Sequence, residues 1–197
     1  MDLEQRIKNI FLKYGAVLGV LYLTLTIISF YLITAISVSP IVFVALPIFS
    51  RLCLPIVITI VLCFSGRKKI GGLWTFKQAT TGIFAMFLMA FAIQFIGKDI
   101  VFDKFIEPNG VRKIQIAAIK TKSSNLQHKG YDQKTIDKEM AEMKKDLVHQ
   151  NNALTPGAVI QEVIFSILFI FLFALIFGSL FKNAEYVSGS QTTNQRQ

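Results

Sequence analysis

Two cysteines, two histidines, one tryptophan and only 17% charged residues are what this chain has least of, and each shortage excludes something. Cys53 and Cys63 make no CxxC pair and no disulfide framework. Ten residues apart on a helix turning about 100° per residue, they point to different faces, so buried filler is their expected role. His128 and His149 stand twenty-one residues apart without HExxH or a cysteine partner, which leaves no zinc pattern and two solvated side chains. Gly71-Gly72 reads as a turn, not a phosphate-cradling loop. With no nucleophile, metal set or acid/base pair to name, the expectation is no catalytic residue, no metal, no cofactor and no enzyme.

What is present is apolar. Hydrophobic residues make up 53% of the chain, Phe occurs 18 times, and the mean hydropathy is +0.53. These residues come in blocks of roughly twenty or more without an ionisable group, the length that crosses about 30 Å of hydrocarbon. The fold class expected is an all-α integral membrane protein: four transmembrane helices with a helical-hairpin polar domain between spans three and four. No charge occurs between Lys13 and Arg51, thirty-seven residues that exceed one span, and Pro40 supplies the break. Spans one and two are read as 15–38 and 41–65. Arg51 falls inside the second, because 52–65 alone would reach only roughly 21 Å at 1.5 Å per residue. Span three is 78–97, and span four is 156–182, opened by Pro156 and Gly157. Ahead of them, 1–14 carries Leu3, Ile7, Ile10 and Phe11 on one helical face and is expected to lie on the membrane surface. The tail 183–197, rich in Ser, Thr, Asn and Gln, reads as disordered. Neither a cleaved signal nor a lipid anchor is expected at either end.

The net charge of +9 would suggest nucleic acid in a soluble protein. Here Lys and Arg cluster beside apolar blocks, so the lipid bilayer is the expected partner and nucleic acid is not. The N-terminal segment has Arg6, Lys8 and Lys13, and the link between spans two and three has Arg67, Lys68, Lys69 and Lys77, whereas the link between spans one and two has none. The positive-inside bias then puts both termini in the cytoplasm and residues 98–155 outside, with Tyr14, Trp74 and Tyr186 at the inner interface.

Residues 98–155 hold eleven Lys/Arg and eight Asp/Glu. Within them Ile136, Met140, Met143 and Leu147 repeat at helical spacing, Asp132 is placed to cap that helix, and Gly130 supplies a turn before it. Upstream, Val111, Ile114 and Ala118 give a weaker stripe. A two-helix hairpin results, with the stripe as the candidate surface for a membrane-protein partner or a homo-oligomer. Inside the spans, Arg51, Gln94, Gln161 and Glu162 are the strong polar side chains, all toward the outer leaflet. Pro55 leaves the Arg51 carbonyl without its helical donor, so a polar cluster can form there. A structural Arg51–Glu162 pair is favoured over a transport site; the bland alternative is that Arg51 snorkels to the outer headgroups while Glu162 sits at the interface already, the reading preferred for Glu162 alone. Gly15-xxx-Gly19 and Ala174-xxx-Gly178 permit close helix approach, expected within the bundle.

Lys13-Tyr14-Gly15 opening span one, Gly72-Leu73-Trp74-Thr75-Phe76-Lys77-Gln78-Ala79 leading into span three, Pro108 after it and Pro156 before span four resemble a family of bacterial four-span membrane proteins, mostly from Bacteroidetes, known as domain of unknown function number 4199. The resemblance covers roughly Lys13 to Lys182. It implies a multi-pass protein of the inner membrane and carries no activity, so no site residue follows from it. The leading expectation is a non-enzymatic membrane protein whose extracytoplasmic hairpin binds a partner or an oligomer mate. The alternative is a small transporter or channel component using a polar site near Arg51.

Overall fold

A computed structural model describes residues 3–35, 39–72, 74–151 and 156–182, with side chains throughout except at 146–151, 156 and 158. The described residues contain helix and no strand. Helix α1 is Leu3–Ala35, α2 Pro40–Ile48, α3 Leu54–Lys69, α4 Phe76–Gln94, α5 Gly110–His128, α6 Gln133–Asn151 and α7 Pro156–Phe181. Between α2 and α3 lies a π-helical stretch, π1, at Phe49–Cys53, and α4 passes into a longer one, π2, at Phe95–Ile106. Four continuous stretches are long and apolar enough to cross a membrane: Leu3–Ala35, Pro40–Lys69, Phe76–Ile106 and Val159–Phe181. The chain packs as two units, one built from Met1–Val20, Ile56–Ile93 and Phe165–Gln197, the other from Leu21–Pro55 and Gln94–Ile164.

In the first unit α1, α3, α4 and α7 enclose a core of Ile7, Phe11, Trp74, Ile83, Met86 and Phe177, among others. Helix α1 starts at Leu3 without a break, and of the N-terminal stripe Ile7 and Phe11 stay in phase with Leu18 and enter this core, at 2% and 0% exposure, while Leu3 is exposed. Small residues let backbones touch. A Cβ on Gly15 would run into the Met86 carbonyl, and one on Gly19 would lie 3.0 Å from the Ala90 Cα, so the Gly15-xxx-Gly19 pair seats α1 on α4 within the chain. Gly178 does the same for α7 against Thr80.

The α3–α4 connection explains the Trp-Thr-Phe-Lys-Gln segment. Gly71 and Gly72 turn at φ +96° and +84°, the left-handed region that side chains avoid. Thr75 and Gln78 then form a reciprocal capping box: the Gln78 N–H donates to Thr75 Oγ1 at 3.3 Å, and the Thr75 N–H donates to Gln78 Oε1 at 3.0 Å. Trp74 departs from the expected interfacial belt. It is 1% exposed, and its Nε1–H donates at 2.7 Å to the carbonyl of Phe181, one of the four C-terminal carbonyls that α7 itself cannot satisfy. Tyr186 lies outside the described residues.

In the second unit the prolines set the course of span two. Ser39 caps α2, accepting from the Val42 N–H at 3.4 Å, with Pro40 at the first helical position. Pro47 and Pro55 each lack the N–H that an α-helix needs, and between them five residues adopt π winding, closed by the Leu54 N–H donating to the Phe49 carbonyl. Ser50 stabilises the start of that stretch, donating to the Leu46 carbonyl at 2.8 Å. The helix that carries span three continues past Gly97. It runs on through Lys98, Asp99, Asp103 and Lys104 as π2 and stops where the Glu107 N–H meets the Phe102 carbonyl at 2.7 Å. Helices α5 and α6 follow, joined by residues 129–132 and in contact with each other, and α5 also touches α2. Gly130 turns at φ +77°, and Asp132 accepts from the Thr135 hydroxyl at 2.6 Å and from its N–H at 3.3 Å.

Candidate functional site

The second unit holds a cleft of about 260 Å³ walled by α1, α2, π1, π2 and α5. Each wall presents residues at the spacing of one helical face: Thr26, Ser29, Phe30 and Ile33 from α1, Phe43, Pro47 and Arg51 from α2 and π1, Gly110, Val111 and Ile114 from α5. From π2 come Lys98, Phe102 and Asp103. Lys98 and Asp103 are five residues apart, a spacing that an α-helix turns away from one face and that the i→i+5 winding stacks. Their Nζ and Oδ2 are 2.7 Å apart, and Asp99 Oδ1 also reaches the Lys98 ammonium, at 3.1 Å.

Arg51 is different. It is exposed, it lines the cleft, and among the described residues no carboxylate lies within ion-pair distance of it. The charged lining is therefore Arg51 and Lys98 against Asp103, with Lys98 doubly engaged and the guanidinium left over. A guanidinium without a direct ion-pair partner within a helix long and apolar enough to cross a membrane is costly, even with Asp99 and Asp103 balancing the two cations in sum.

The rest of the lining is mostly aromatic and aliphatic, with Thr26 and Ser29 among it. Phe30 and Phe102 meet edge to face at 5.2 Å, and Phe102 is 3% exposed. Beside them, the Tyr31 hydroxyl donates to Glu107 Oε1 at 3.3 Å, and Lys113 Nζ lies 2.6 Å from Glu107 Oε2. The Lys113 hydrogen bond foremost holds the Glu107 carboxyl below its ordinary range.

Of the residues singled out from sequence, Arg51 is on the cleft and Gln94 is one bond from it. Gln94 Nε2 donates at 3.2 Å to the hydroxyl of Thr26, which donates on to the Tyr22 carbonyl at 2.9 Å; Gln94 Oε1 is buried with no hydrogen-bond partner among the described residues. Gln161 and Glu162 are exposed on α7, and no ion pair joins Glu162 to Arg51. Sequence spacing cannot set the rotation of α7, and that rotation leaves both side chains on its outer face. Ile136 and Met140 are buried, at 2% and 8%, and Met143 is half-buried; the Leu147 side chain lies outside the described residues. That part of the stripe is already covered within the chain. Lys98 and Asp103 were missed because they follow the apolar block and count as loop charges; the apolar Ile100, Val101 and Phe102 between them were the available signal. Among the described residues, no three His, Cys, Asp or Glu side chains converge to hold a metal ion.

The four apolar helices and the all-helical architecture place the chain in the class of multi-pass helical membrane proteins. It belongs to the family described as protein of unknown function (DUF4199), whose match covers residues 13–183. No curated protein and no solved structure matches the chain.

Proposed function

We propose that this protein is a non-enzymatic binding protein of a bacterial inner membrane, with both termini cytoplasmic, that holds an anionic ligand at Arg51. The observation that carries the reading is the Arg51 guanidinium, without an ion pair among the described residues, on the wall of a cleft whose other cation is already held by two carboxylates. In this reading α5 and α6 form an extracytoplasmic hairpin, and α5 supplies one wall of the site through Gly110, Val111 and Ile114. The test is thermal unfolding of the full chain in neutral detergent against increasing inorganic phosphate, with sulfate and chloride at matched ionic strength. A site-bound anion at a hundredfold its Kd stabilises by about 2.7 kcal/mol. The wild type should shift with phosphate and Arg51→Gln should not; equal responses of the two proteins overturn the reading. If the bound anion also crosses proteoliposome membranes and Arg51→Gln abolishes that flux, the cleft is a transport site.

A second reading keeps the hairpin as the docking surface for a membrane-protein partner or a second copy. It is supported by Ile116 and Tyr131, 55% and 51% exposed on and just after α5. Under it, Ile116→Glu should convert an oligomer to a monomer by mass photometry; an unchanged mass removes it.

A further inference from the structure

Resting on the anion-site reading, we infer that the anion bound in the cleft carries an alkyl chain: an alkyl phosphate or alkyl carboxylate, whether the headgroup of a bilayer lipid or a free amphiphile. Size is the first argument. The cleft's roughly 260 Å³ is many times the roughly 10–15 Å³ that admits one water, so a phosphate or carboxylate head at Arg51 leaves space beside it. The remaining space is the wrong kind for water. A buried water needs two to four polar partners, and apart from Thr26, Ser29 and the three charged residues the lining side chains are apolar, Phe30, Ile33, Phe43, Phe102 and Ile114 among them. An apolar segment fills such space at a gain of about fourfold in affinity per buried methylene.

Charge is the second argument. Arg51 has no ion-paired carboxylate among the described residues, and a monoester phosphate or a carboxylate offers two oxygens in the forked geometry that suits a guanidinium's N–H donors. Access is the third. Four of the five walls, α1, α2, π1 and π2, belong to stretches long and apolar enough to cross a membrane, so an amphiphile can enter from the bilayer with its chain leading and its head at Arg51.

The experiment compares three water-soluble probes, hexyl phosphate, inorganic phosphate and hexanol, on the full chain in zwitterionic-lipid nanodiscs by isothermal titration. Hexyl phosphate should bind at least tenfold more tightly than inorganic phosphate, and hexanol not measurably. Arg51→Gln should weaken hexyl phosphate at least tenfold. Phe43→Ala should reduce the ratio of hexyl phosphate to phosphate affinity toward one; Ile114→Ala, at a 39% exposed position, is the second variant should the first fail to fold. Doping the nanodiscs with phosphatidic acid separates the sources: displacement of hexyl phosphate assigns the ligand to a bilayer lipid, and no displacement assigns it to a free amphiphile. Equal affinities for hexyl phosphate and phosphate, lost together in Arg51→Gln, overturn the alkyl chain and leave the anion site standing. Hexanol binding as well as hexyl phosphate, indifferent to Arg51→Gln, overturns the anion site and this inference with it. No binding of any probe overturns both.

Discussion

A single methyl group at position 15 decides whether α1 can lie on α4, because the atom it meets is the Met86 backbone carbonyl, which has no rotamer to yield. Gly15→Ala gains helix propensity of about 1 kcal/mol yet must push the helices apart, and overpacking costs about 1–3 kcal/mol. The detergent-solubilised protein should therefore melt earlier than wild type despite the better helix former; an unchanged or higher midpoint would show that α1 and α4 do not touch there. Trp74 makes the complementary point. Its ring packs at 5.4 Å from that of Phe11, and its N–H satisfies Phe181. Trp74→Phe keeps most of the apolar area but strands a buried carbonyl, a loss of about 1–3 kcal/mol. The expected result is a lower midpoint with an intact helical circular-dichroism spectrum. Residue-level legibility was uneven for a reason these two share. Glycine spacing announces a close approach, whereas the indole's partner lies 107 positions away and no local pattern points to it.

At the scale of elements, the pair α5 and α6 is fastened by Lys122 and Glu139, 2.6 Å apart. The Lys122 hydrogen bond holds the Glu139 carboxyl below its ordinary 4.5, and the Thr135 hydroxyl does the same for Asp132 at the start of α6. A carboxyl depressed in the folded state binds fewer protons there than when unfolded, so its stabilisation is present above about pH 4.5 and fades as pH falls through the folded value. Hydrogen exchange in α6, corrected for intrinsic rates, should accelerate below that pH. Glu139→Gln should exchange faster already at neutral pH and lose part of the pH dependence, the remainder being Asp132; an unaltered pH profile would show that the ion pair is idle. The same scale shows what was and was not readable. Pro40, Pro47 and Pro55 announce where span two breaks or changes its winding, because a missing N–H acts wherever it stands. The extension of span three was not readable: hydropathy treats Lys98 as the end of a span, while a helix ends where its hydrogen bonds end, here at Glu107. Arg51 was therefore recognisable as a lone charge in an apolar block, and its neighbours Lys98 and Asp103 were not.

For the whole molecule, the distribution of basic residues argues the orientation. Arg67, Lys68, Lys69 and Lys77 stand at the α3–α4 connection, and the α1–α2 link has no Lys or Arg. Reporter fusions at Asn125 should read extracytoplasmic and fusions after Gln197 cytoplasmic; a cytoplasmic signal at Asn125 would invert the map and put α5 and α6 inside. The π2 stretch has a bearing on something else, the chain's tolerance to changes in length. Each of its hydrogen-bonded rings contains one residue more than an α-turn, so a segment that loses a residue there can take up the loss by tightening one ring. Deleting Ile100 would bring Lys98 and Asp103 to a spacing of four, which an α-helix stacks on one face just as π2 stacks five. The corresponding deletion of Ala85 in α4 has no slack to draw on and would rotate every later residue by about 100°. Span three should thus tolerate the loss of one codon between Phe95 and Ile106 better than a loss within α4.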